Sequence, residues 1–415
     1  MKKSKYYPWV VVGLLWFVAL LNYLDRQMLS TMKPAIQQSI AELESATSFG
    51  RLMAVFLWIY GLMSPVSGMI ADRINRKYLI VGSLFVWSAV TLLMGYATTF
   101  NQLYWLRAVM GVSEALYIPA GLSLIADYHQ SSTRSLAVGI HMTGLYMGQA
   151  LGGFGATVAA TFSWQLTFHW FGLAGIAYAV VLLLFLREYR PAHKADNAAP
   201  RPFFSGLRFV VLLLPFWVIF LCFSIPSIPG WAIKNWLPTL FAGTLHVPMS
   251  KAGPLATITT AVSSLIGVAI GGPLSDRWVQ RNLRGRIYTS AIGLSLTIPA
   301  LLFLGMGNGA FFLVAAAFCF GVGFGMFDAN NMPILCQFVA PANRATAYGL
   351  MNLGGVFSGA LITDFLGKST DAGHLGRDFA LMALVILAAV GMLLCFLRPR
   401  TKDYRDAAPV FPLKK

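Results

Sequence analysis

Residues 68–77 read GMIADRINRK, and a related stretch, GGPLSDRWVQR, occupies residues 271–281. Both place a Gly four residues before an Asp-Arg pair, at Asp72 and at Asp276, and both follow a long apolar segment. A second pair of related stretches, RSLAVGIHMTGLYMG at 134–148 and RATAYGLMNLGGVFSG at 344–359, has nearly the same separation along the chain. Two signatures that recur at nearly one offset predict a duplicated unit of six helices.

The bulk composition indicates a protein that lies almost wholly within a membrane. Of its 415 residues, 57% are hydrophobic and only 11% are charged, whereas a soluble domain carries about 25% charged residues. A helix of roughly 20 apolar residues crosses a bilayer, and the alternating segments of a β-barrel are absent. The sequence therefore predicts an all-α membrane protein with twelve spans, at about 9–32, 50–71, 78–98, 102–126, 135–160, 166–187, 207–241, 252–275, 287–306, 309–337, 345–366 and 379–397.

The net charge of +16 follows the predicted topology. Most of the 31 Lys and Arg residues lie in the termini and in the loops that follow even-numbered spans. The exceptions on the opposite side are Lys33, Arg51, Lys251, Lys368 and Arg377, and those within spans are Arg26, Arg107 and Lys234. The positive-inside rule then predicts cytoplasmic termini. Nucleic-acid binding is disfavoured because the positive charge is scattered over short loops.

A polar stretch, REYRPAHKADNAAPRPFFS, divides the chain at residues 187–205 and predicts a linker. We expect an N-terminal six-helix bundle at 1–187, a cytoplasmic linker at 188–206, a C-terminal six-helix bundle at 207–397 and a cytoplasmic tail at 398–415. The short loops and the lack of N-x-S/T sequons favour a bacterial inner membrane. We expect a monomer in the lipid bilayer.

The loop signature resembles that of the major facilitator superfamily, with Asn75 where the family usually has Gly. The resemblance covers the whole chain and implies two pseudo-symmetric six-helix bundles that rock about a mid-membrane site to give alternating access. It also implies a cytoplasmic latch that holds one side shut in one state, although the basic residues of these loops could serve only to fix the topology. The latch residues would be Asp72, Arg73, Arg76, Arg134, Asp276, Arg277 and Arg344.

Ionisable residues inside apolar spans indicate the functional site, because a charge within a membrane costs from about 2.5 kcal/mol upward. Asp25 and Arg26 lie in the first span, and Arg107 and Glu114 lie in the fourth. Helical spacing puts Asn22, Asp25 and Arg26 on one face of the first span. Arg107 and Glu114 are two turns apart on one face, with Gly111 between them leaving room for a neighbouring helix.

This pattern has a structural and a functional interpretation. Two internal ion pairs, Asp25–Arg107 and Glu114–Arg26, could merely hold helices together, but desolvation offsets much of the attraction in such pairs. We favour a site for protons and an anion. Burial favours the neutral acid and a nearby Arg favours the carboxylate, so a carboxyl group here can exchange protons. Arg offers a planar fork that suits a carboxylate or a phosphate.

The Asp-Arg pair after Tyr23 and the R-x-x-x-G-x-x-E-A pattern from Arg107 resemble the anion:cation symporter branch, which includes sugar-acid and sialin-like organic-anion carriers. The resemblance implies that Asp25 and Glu114 carry the proton and that Arg26 meets the anion. Spinster-like lipid transporters share part of this pattern. The predicted substrate-binding residues are Tyr23, Arg26, Tyr60, Arg107, Trp231, Lys234 and Asn352.

The seventh and tenth spans carry further polar positions. Pro226, Pro229 and Gly230 should break or kink the seventh span. The ammonium of Lys234 lies either in the roof of the cavity or at the outer surface, which its long side chain could reach. Asp328 in the tenth span is either a substrate contact or a structural polar group. His141 in the fifth span is more often a packing residue than a proton carrier.

No Walker loop, metal-ligand cluster or nucleophile–base arrangement is visible, so the sequence predicts neither an enzyme nor a metal or other cofactor beyond the proton gradient. The leading hypothesis is a proton-coupled symporter of a small organic anion, such as a hexuronate or an aldonate. Two alternatives are a spinster-like transporter of lysolipids or other amphiphiles, and a sensor that binds substrate without moving it. A sensor needs no proton carriers, so Asp25 together with Glu114 favours transport.

Overall fold

The computed structural model describes residues 6–129, 131–187, 210–212, 214–307, 309–339 and 344–400, and the regular secondary structure among them is helical. Eleven of the described helical segments are long and apolar enough to cross a membrane. The predicted all-α, multi-pass architecture is confirmed. The linker at 188–206 and most of the tail at 398–415 lie outside the described residues, so the domain boundaries stay predictions.

The N-terminal half contains nine α-helices and one short 3-10 helix, Ala41–Leu43, among the described residues, and the predicted fourth and fifth spans are each divided between two α-helices. The nine α-helices are α1 (Tyr7–Thr31), α2 (Lys33–Ser39), α3 (Ala46–Arg73), α4 (Arg76–Met94), α5 (Phe100–Ala115), α6 (Tyr117–Tyr128), α7 (Ser131–Gly152), α8 (Gly155–Thr161) and α9 (Trp164–Phe185). Local capping fixes several starts, such as the reciprocal bonds between Thr99 and Gln102 that begin α5. The fourth predicted span is α5 followed by α6.

The C-terminal half continues with seven helices in the described part of the chain. They are α10 (Leu214–Leu245), α11 (Met249–Arg281), α12 (Gly285–Met306), α13 (Ala310–Asp328), α14 (Asn331–Phe338), α15 (Arg344–Asp371) and α16 (Leu375–Phe396). The tenth predicted span is α13 followed by α14, so it is broken in the same manner as the fourth.

The helix packing repeats between the two halves. Helix α1 packs on α7 as α10 packs on α15, α3 packs on α5 as α11 packs on α13, and α4 packs on α9 as α12 packs on α16. Each pair joins the counterparts of the same two spans. The predicted duplication of a six-helix unit is therefore visible in the packing as well as in the sequence.

Of the break or kink predicted for the seventh span, the break is wrong, because α10 runs without interruption from Leu214 to Leu245 despite Pro226, Pro229 and Pro238, and the kink stays a prediction. A proline removes one hydrogen bond and leaves the carbonyl four residues earlier without its helical partner. The carbonyl freed by Pro238 is that of Lys234, and it accepts a bond of 2.9 Å from Nε2 of Gln27 on α1. A neighbouring helix thus satisfies the group that would otherwise favour a break.

The same arrangement recurs where α8 meets α11. Pro254 lies inside α11 and frees the carbonyl of Ser250. That carbonyl accepts a 2.9 Å bond from the hydroxyl of Thr157. Both proline-freed carbonyls belong to the C-terminal half, and both are bound by side chains of the N-terminal half.

The two halves meet closely at the end of the bundle opposite the chain termini, which we call the far side. Both carboxylate oxygens of Asp371, the last residue of α15, accept hydrogen bonds from the backbone at the start of α3, 2.7 Å from the nitrogen of Ala46 and 2.8 Å from that of Thr47. The buried side chain of Lys33 lies over the ring of Trp236 at 5.0 Å. The far side is therefore closed in this structure.

The opposite end, where the side chain of Tyr7 bonds the carbonyl of Phe185, is called the terminus side. The ion pairs described here, such as Arg76 with Asp127 and Arg286 with Asp276, join helices of the same half. Each half is thus tied to itself at this end.

Candidate functional site

Glu114 and Arg26 form the centre of a buried polar cluster in the N-terminal half. Oε2 of Glu114 accepts a 2.6 Å bond from Nε of Arg26 and a 3.0 Å bond from the amide of Asn22. Glu114 has no exposed surface, and Arg26 is 11% exposed. At Gly111 a Cβ atom would lie 2.8 Å from the carbonyl of Phe56, so the glycine lets α5 approach α3 closely.

The guanidinium of Arg26 lies among three aromatic rings. Its central carbon is 4.5 Å from the ring centre of Tyr60, 4.8 Å from that of Phe56 and 5.1 Å from that of Tyr23. Cation–π contacts of this kind stabilise a desolvated guanidinium. Nη2 of Arg26 and Oε1 of Glu114 are nevertheless buried without a hydrogen-bond partner. The pair keeps both a donor and an acceptor for a further polar group.

Asp25 and Arg107 are close enough to interact electrostatically, but they do not form the direct ion pair that the structural interpretation requires. Asp25 accepts a 3.3 Å bond from the hydroxyl of Thr91. Arg107 is only 3% exposed, lies 4.4 Å from the ring centre of Phe56 and donates to the sulfur of Met110. The ring of Phe56 thus contacts both guanidinium groups, and the contact of Arg107 with substrate stays a prediction.

The C-terminal half supplies the opposite wall with Trp231 and Lys234. Nζ of Lys234 is 4.9 Å from the ring centre of Trp231 and 5.9 Å from that of Tyr23 in the other half. Its side chain therefore points into the bundle, which decides between the two positions left open by the sequence. Tyr60 is 7% exposed and lies beneath Arg26, whereas Asn352 bonds Ser64 at 2.6 Å and joins α15 to α3.

Asp328 also faces this interior, although its role could not be assigned from the sequence. Its side chain is exposed, yet it interacts electrostatically with Lys234 on α10, Tyr146 on α7 and Tyr348 on α15. Because these neighbours come from both halves of the chain, Asp328 lies near the boundary between the halves. Nδ2 of Asn331 donates a 3.0 Å bond to one carboxylate oxygen.

Two of the predicted latch residues, Arg76 and Asp276, form ion pairs within their own halves. Arg76 pairs with Asp127 on α6, and Asp276 pairs with Arg286 on α12 at 3.4 Å. Arg277 is exposed. Four further predicted latch side chains lie outside the described residues, namely Asp72, Arg73, Arg134 and Arg344. The latch stays a prediction for a state in which the terminus side is closed.

His141 contacts the hydroxyl of Tyr117 through Nε2 at 2.8 Å, and the same hydroxyl donates to the carbonyl of Leu15. The imidazole has no exposed surface. It lies in the packing between α1, α6 and α7, away from the carboxylates, which fits the packing interpretation of this histidine.

Sequence reasoning did not assign Thr91 and Phe56 to the cluster, nor Tyr146 and Tyr348 to the cavity wall. Thr91 and Phe56 lie in apolar helices whose composition gives no sign of which face meets the site. Tyr146 and Tyr348 lie in the two repeated stretches at 134–148 and 344–359, but at different places within them, so the repeat gave no sign of a shared position.

Comparison with known proteins extends over nearly the whole chain. Protein spinster homolog 1 of Homo sapiens is 27% identical over 92% of this chain and 78% of its own length. The sphingosine-1-phosphate transporter SPNS2 of Xenopus tropicalis is 24% identical over 94% of this chain and 82% of its own. The uncharacterized transporter YybO of Bacillus subtilis is 23% identical over 75% of this chain and 73% of its own.

Solved structures give the same fold. A crystal structure of a bacterial homolog of the human lysosomal transporter spinster, inward-facing and unoccupied, superposes with a TM-score of 0.77 and 21% identity, covering 94% of this chain and 97% of that one. These similarities favour the spinster group over the anion:cation symporter branch. Residues 15–363 match the sequence model of the family described as the Major Facilitator Superfamily. The chain therefore belongs to the Major Facilitator Superfamily and is a multi-pass membrane transporter, not an enzyme.

Proposed function

We propose that this protein moves an amphiphile with an anionic headgroup across the membrane by alternating access, coupled to the movement of protons. The observation that carries the proposal is the site of Arg26, a cation with a buried unpaired donor among three aromatic rings. An anionic headgroup would bind the guanidinium, and apolar chain atoms would contact the surrounding aromatic surface.

Aromatic side chains extend this apolar surface across the C-terminal half. The rings of Phe324 and Phe327 have centroids 5.7 Å apart, and Phe223 lies 6.5 Å from Phe327. Phe357 of α15 contacts Trp58 of α3 at 4.9 Å. Relatives named for spinster and for sphingosine-1-phosphate transport make a lysolipid-like cargo the preferred class.

Glu114 provides the coupling in this proposal. While it is ionised, it holds Arg26 through a charge-assisted bond, which is among the stronger kinds of hydrogen bond. Protonation removes that charge and frees the guanidinium for the headgroup of the cargo. Release of the proton restores the pair and displaces the cargo. Asp25, buried beside Thr91, is the second proton carrier.

A small organic anion such as a sugar acid is the second candidate. The observation that favours it is a polar group around Asp328, which interacts electrostatically with Lys234 and with the hydroxyls of Tyr146 and Tyr348. We place the terminus side in the cytoplasm, because the loops on that side carry most of the Lys and Arg residues.

Uptake into proteoliposomes tests the proposal. Radiolabelled lysophosphatidic acid and glucuronate would be supplied separately to the purified protein, with and without an imposed pH gradient. We expect the lysolipid to be transported, with accumulation that collapses when an uncoupler is added. Transport of glucuronate without transport of the lysolipid would overturn the amphiphile proposal in favour of the second candidate.

Two substitutions separate binding from coupling. Arg26→Ala should reduce lysolipid binding by about a hundredfold, because it removes the cation that binds the anionic headgroup in this proposal. Glu114→Gln mimics the protonated acid and should keep exchange of cargo between the two sides while losing uphill accumulation. His141→Gln serves as a control within the same half and should leave both activities intact. Near-normal transport by Arg26→Ala would exclude an anionic cargo at this site.

A further inference from the structure

Glu114 and Asp328 occupy equivalent positions in the two halves of the chain. The fourth span contains EALYIP at 114–119, and the tenth contains DANNMP at 328–333, so each carboxylate precedes a proline by five residues. In both spans the first helix ends at or directly after the carboxylate, at Ala115 in α5 and at Asp328 in α13. The proline that follows lacks the N–H that would continue the helix.

Their cationic neighbours are also equivalent. Glu114 pairs with Arg26 on α1, and Asp328 interacts electrostatically with Lys234 on α10. Helices α1 and α10 are counterparts, since each packs on the matching helix of its own half. Arg26–Glu114 and Lys234–Asp328 are therefore two copies of one cation–carboxylate arrangement, one in each half.

The two copies are in different states in this structure. Arg26 and Glu114 are joined at 2.6 Å, and the carboxylate has no exposed surface. Asp328 is exposed, and its described hydrogen bond comes from Asn331 instead of from Lys234. The ammonium of Lys234 lies over the rings of Trp231 and Tyr23. The first pair is thus closed while the second is open.

The open pair leaves Lys234 in reach of the site of Arg26. Both cations lie close to the ring of Tyr23, whose centre is 5.1 Å from the guanidinium carbon and 5.9 Å from Nζ of Lys234. A headgroup beside Tyr23 can therefore contact one cation from each half. Two cations around one anionic group bind it more tightly than either does alone, because each adds a charge-assisted bond.

We propose that Asp328 competes with the anionic group of the cargo for Lys234, so that the Lys234–Asp328 pair opens when cargo binds and closes when it leaves. This rests on the proposed function only in placing an anion at Arg26, and it holds for a lysolipid and for a sugar acid alike. Asp328 is a positioning residue, because it acts on the cargo through Lys234.

Equilibrium binding of lysophosphatidic acid, measured by isothermal titration calorimetry on purified variants, tests the competition. Asp328→Asn should tighten binding by about tenfold and slow release by a similar factor, because Lys234 loses its competitor. Lys234→Met should weaken binding by about tenfold. In the double variant, Asp328→Asn should have no further effect, since the cation through which it acts is gone.

Controls separate this role from a structural one. Asp364→Asn removes a negative charge from α15 on the far side and should leave the affinity unchanged. Asp328→Glu keeps the competing carboxylate and should bind like the wild type, which guards against misfolding of the Asn variant. Weaker binding by Asp328→Asn, or the same tightening with and without Lys234, would overturn the proposal.

A repeat of the cycle with glucuronate distinguishes this inference from the proposed function. Coupling between positions 234 and 328 with glucuronate, in a protein that does not bind the lysolipid, would overturn the amphiphile cargo and support the competition. Lysolipid binding without coupling between positions 234 and 328 would support the amphiphile cargo and overturn the competition.

Discussion

The two ends of the molecule are held together by different kinds of contact. On the far side, Asp371 of one half binds the start of α3 in the other, and Lys33 lies buried against Trp236 across the same boundary. On the terminus side, the described ion pairs Arg76–Asp127 and Arg286–Asp276 each stay within one half. The far side is joined across the halves, whereas at the terminus side each half is stabilised separately.

This difference indicates where the energy of the conformational change lies. Each half is a stable body whose internal ion pairs need not break when the halves rock. The far-side contacts are those that form and break between states. Substitutions there should therefore shift the balance between states, and substitutions of the terminus-side pairs described here should not.

The largest expected effect concerns Lys33, whose burial lowers its pKa to about 8 against the opposing influence of Asp371. When the far side opens and hydrates the side chain, its pKa should return towards the ordinary value of 10.5. Below pH 8 the lysine is charged in both states, so its burial disfavours the closed state. Between pH 8 and 10.5 this penalty fades. The closed state should therefore gain up to about tenfold per pH unit in that window.

Spin labels at the exposed positions Gln38 and Lys251, one in each half, would report this by double electron–electron resonance distances. Lys33→Met should favour the closed distance and abolish the pH dependence above pH 8. Lys368→Met, which replaces an exposed lysine on the far side, should retain the pH dependence. An identical pH response in wild type and Lys33→Met would assign the titration to other groups.

Substitution of Asp371 should give the second-largest shift between the open and closed far side. Asp371→Ala removes the bonds to the nitrogens of Ala46 and Thr47 and a third, of 2.6 Å, from the hydroxyl of Thr47. The carboxylate is exposed, so solvent screening weakens each bond. We expect the open far side to gain about tenfold in population, measured with the same label pair.

Glu42→Gln is the matched control. Glu42 accepts a 2.8 Å bond from the nitrogen of Phe100 at the start of α5, within the same half. It should change the thermal stability slightly and leave the distance distribution alone. A shift as large as that of Asp371→Ala would mean that loss of any far-side helix cap opens the bundle.

The proline-freed carbonyls should give a smaller effect. Gln27→Leu and Thr157→Val each delete one donor to the C-terminal half, at Lys234 and at Ser250. A neutral hydrogen bond contributes about 1 kcal/mol, so each should raise the open population by about fivefold. The sites are separate, and the double variant should show the product of the two shifts. Thr167→Val, which breaks a bond within one helix, tests for nonspecific loosening.

The smallest effect is expected on the terminus side. Asp276 is 70% exposed in its pair with Arg286, and such pairs contribute about 0–1 kcal/mol. Asp276→Asn should shift the far-side distances by less than about twofold in population. A larger shift would show that this pair is coupled to the opposite end, and the division between the two ends would have to be abandoned.

The fold was predictable because hydropathy counts the spans and the repeated loops relate the halves. The cluster of Asn22, Arg26 and Glu114 was predictable in part, since charges that share a helical face inside a membrane must meet a polar partner. The position of Arg107 against the ring of Phe56 could not be predicted, because it depends on side-chain packing between α3 and α5. Asp328 was also hard to place, since α13 is apolar all round and so offers no periodicity to show which face points inward.

The prolines of α10 and α11 bear on how fast the transporter can cycle. A helix with a full set of hydrogen bonds has no spare acceptor, so two such helices separate only by breaking apolar packing. Pro238 and Pro254 each leave a carbonyl that bonds a side chain of the other half. When the halves part, water can take the place of Gln27 and Thr157 at the same acceptors. The motion then exchanges one set of bonds for another, so that parting the halves costs only about 1 kcal/mol for each bond instead of the full strength of a hydrogen bond. We expect this exchange to keep the barrier between states low, so that a single proton or headgroup can decide the direction of each cycle.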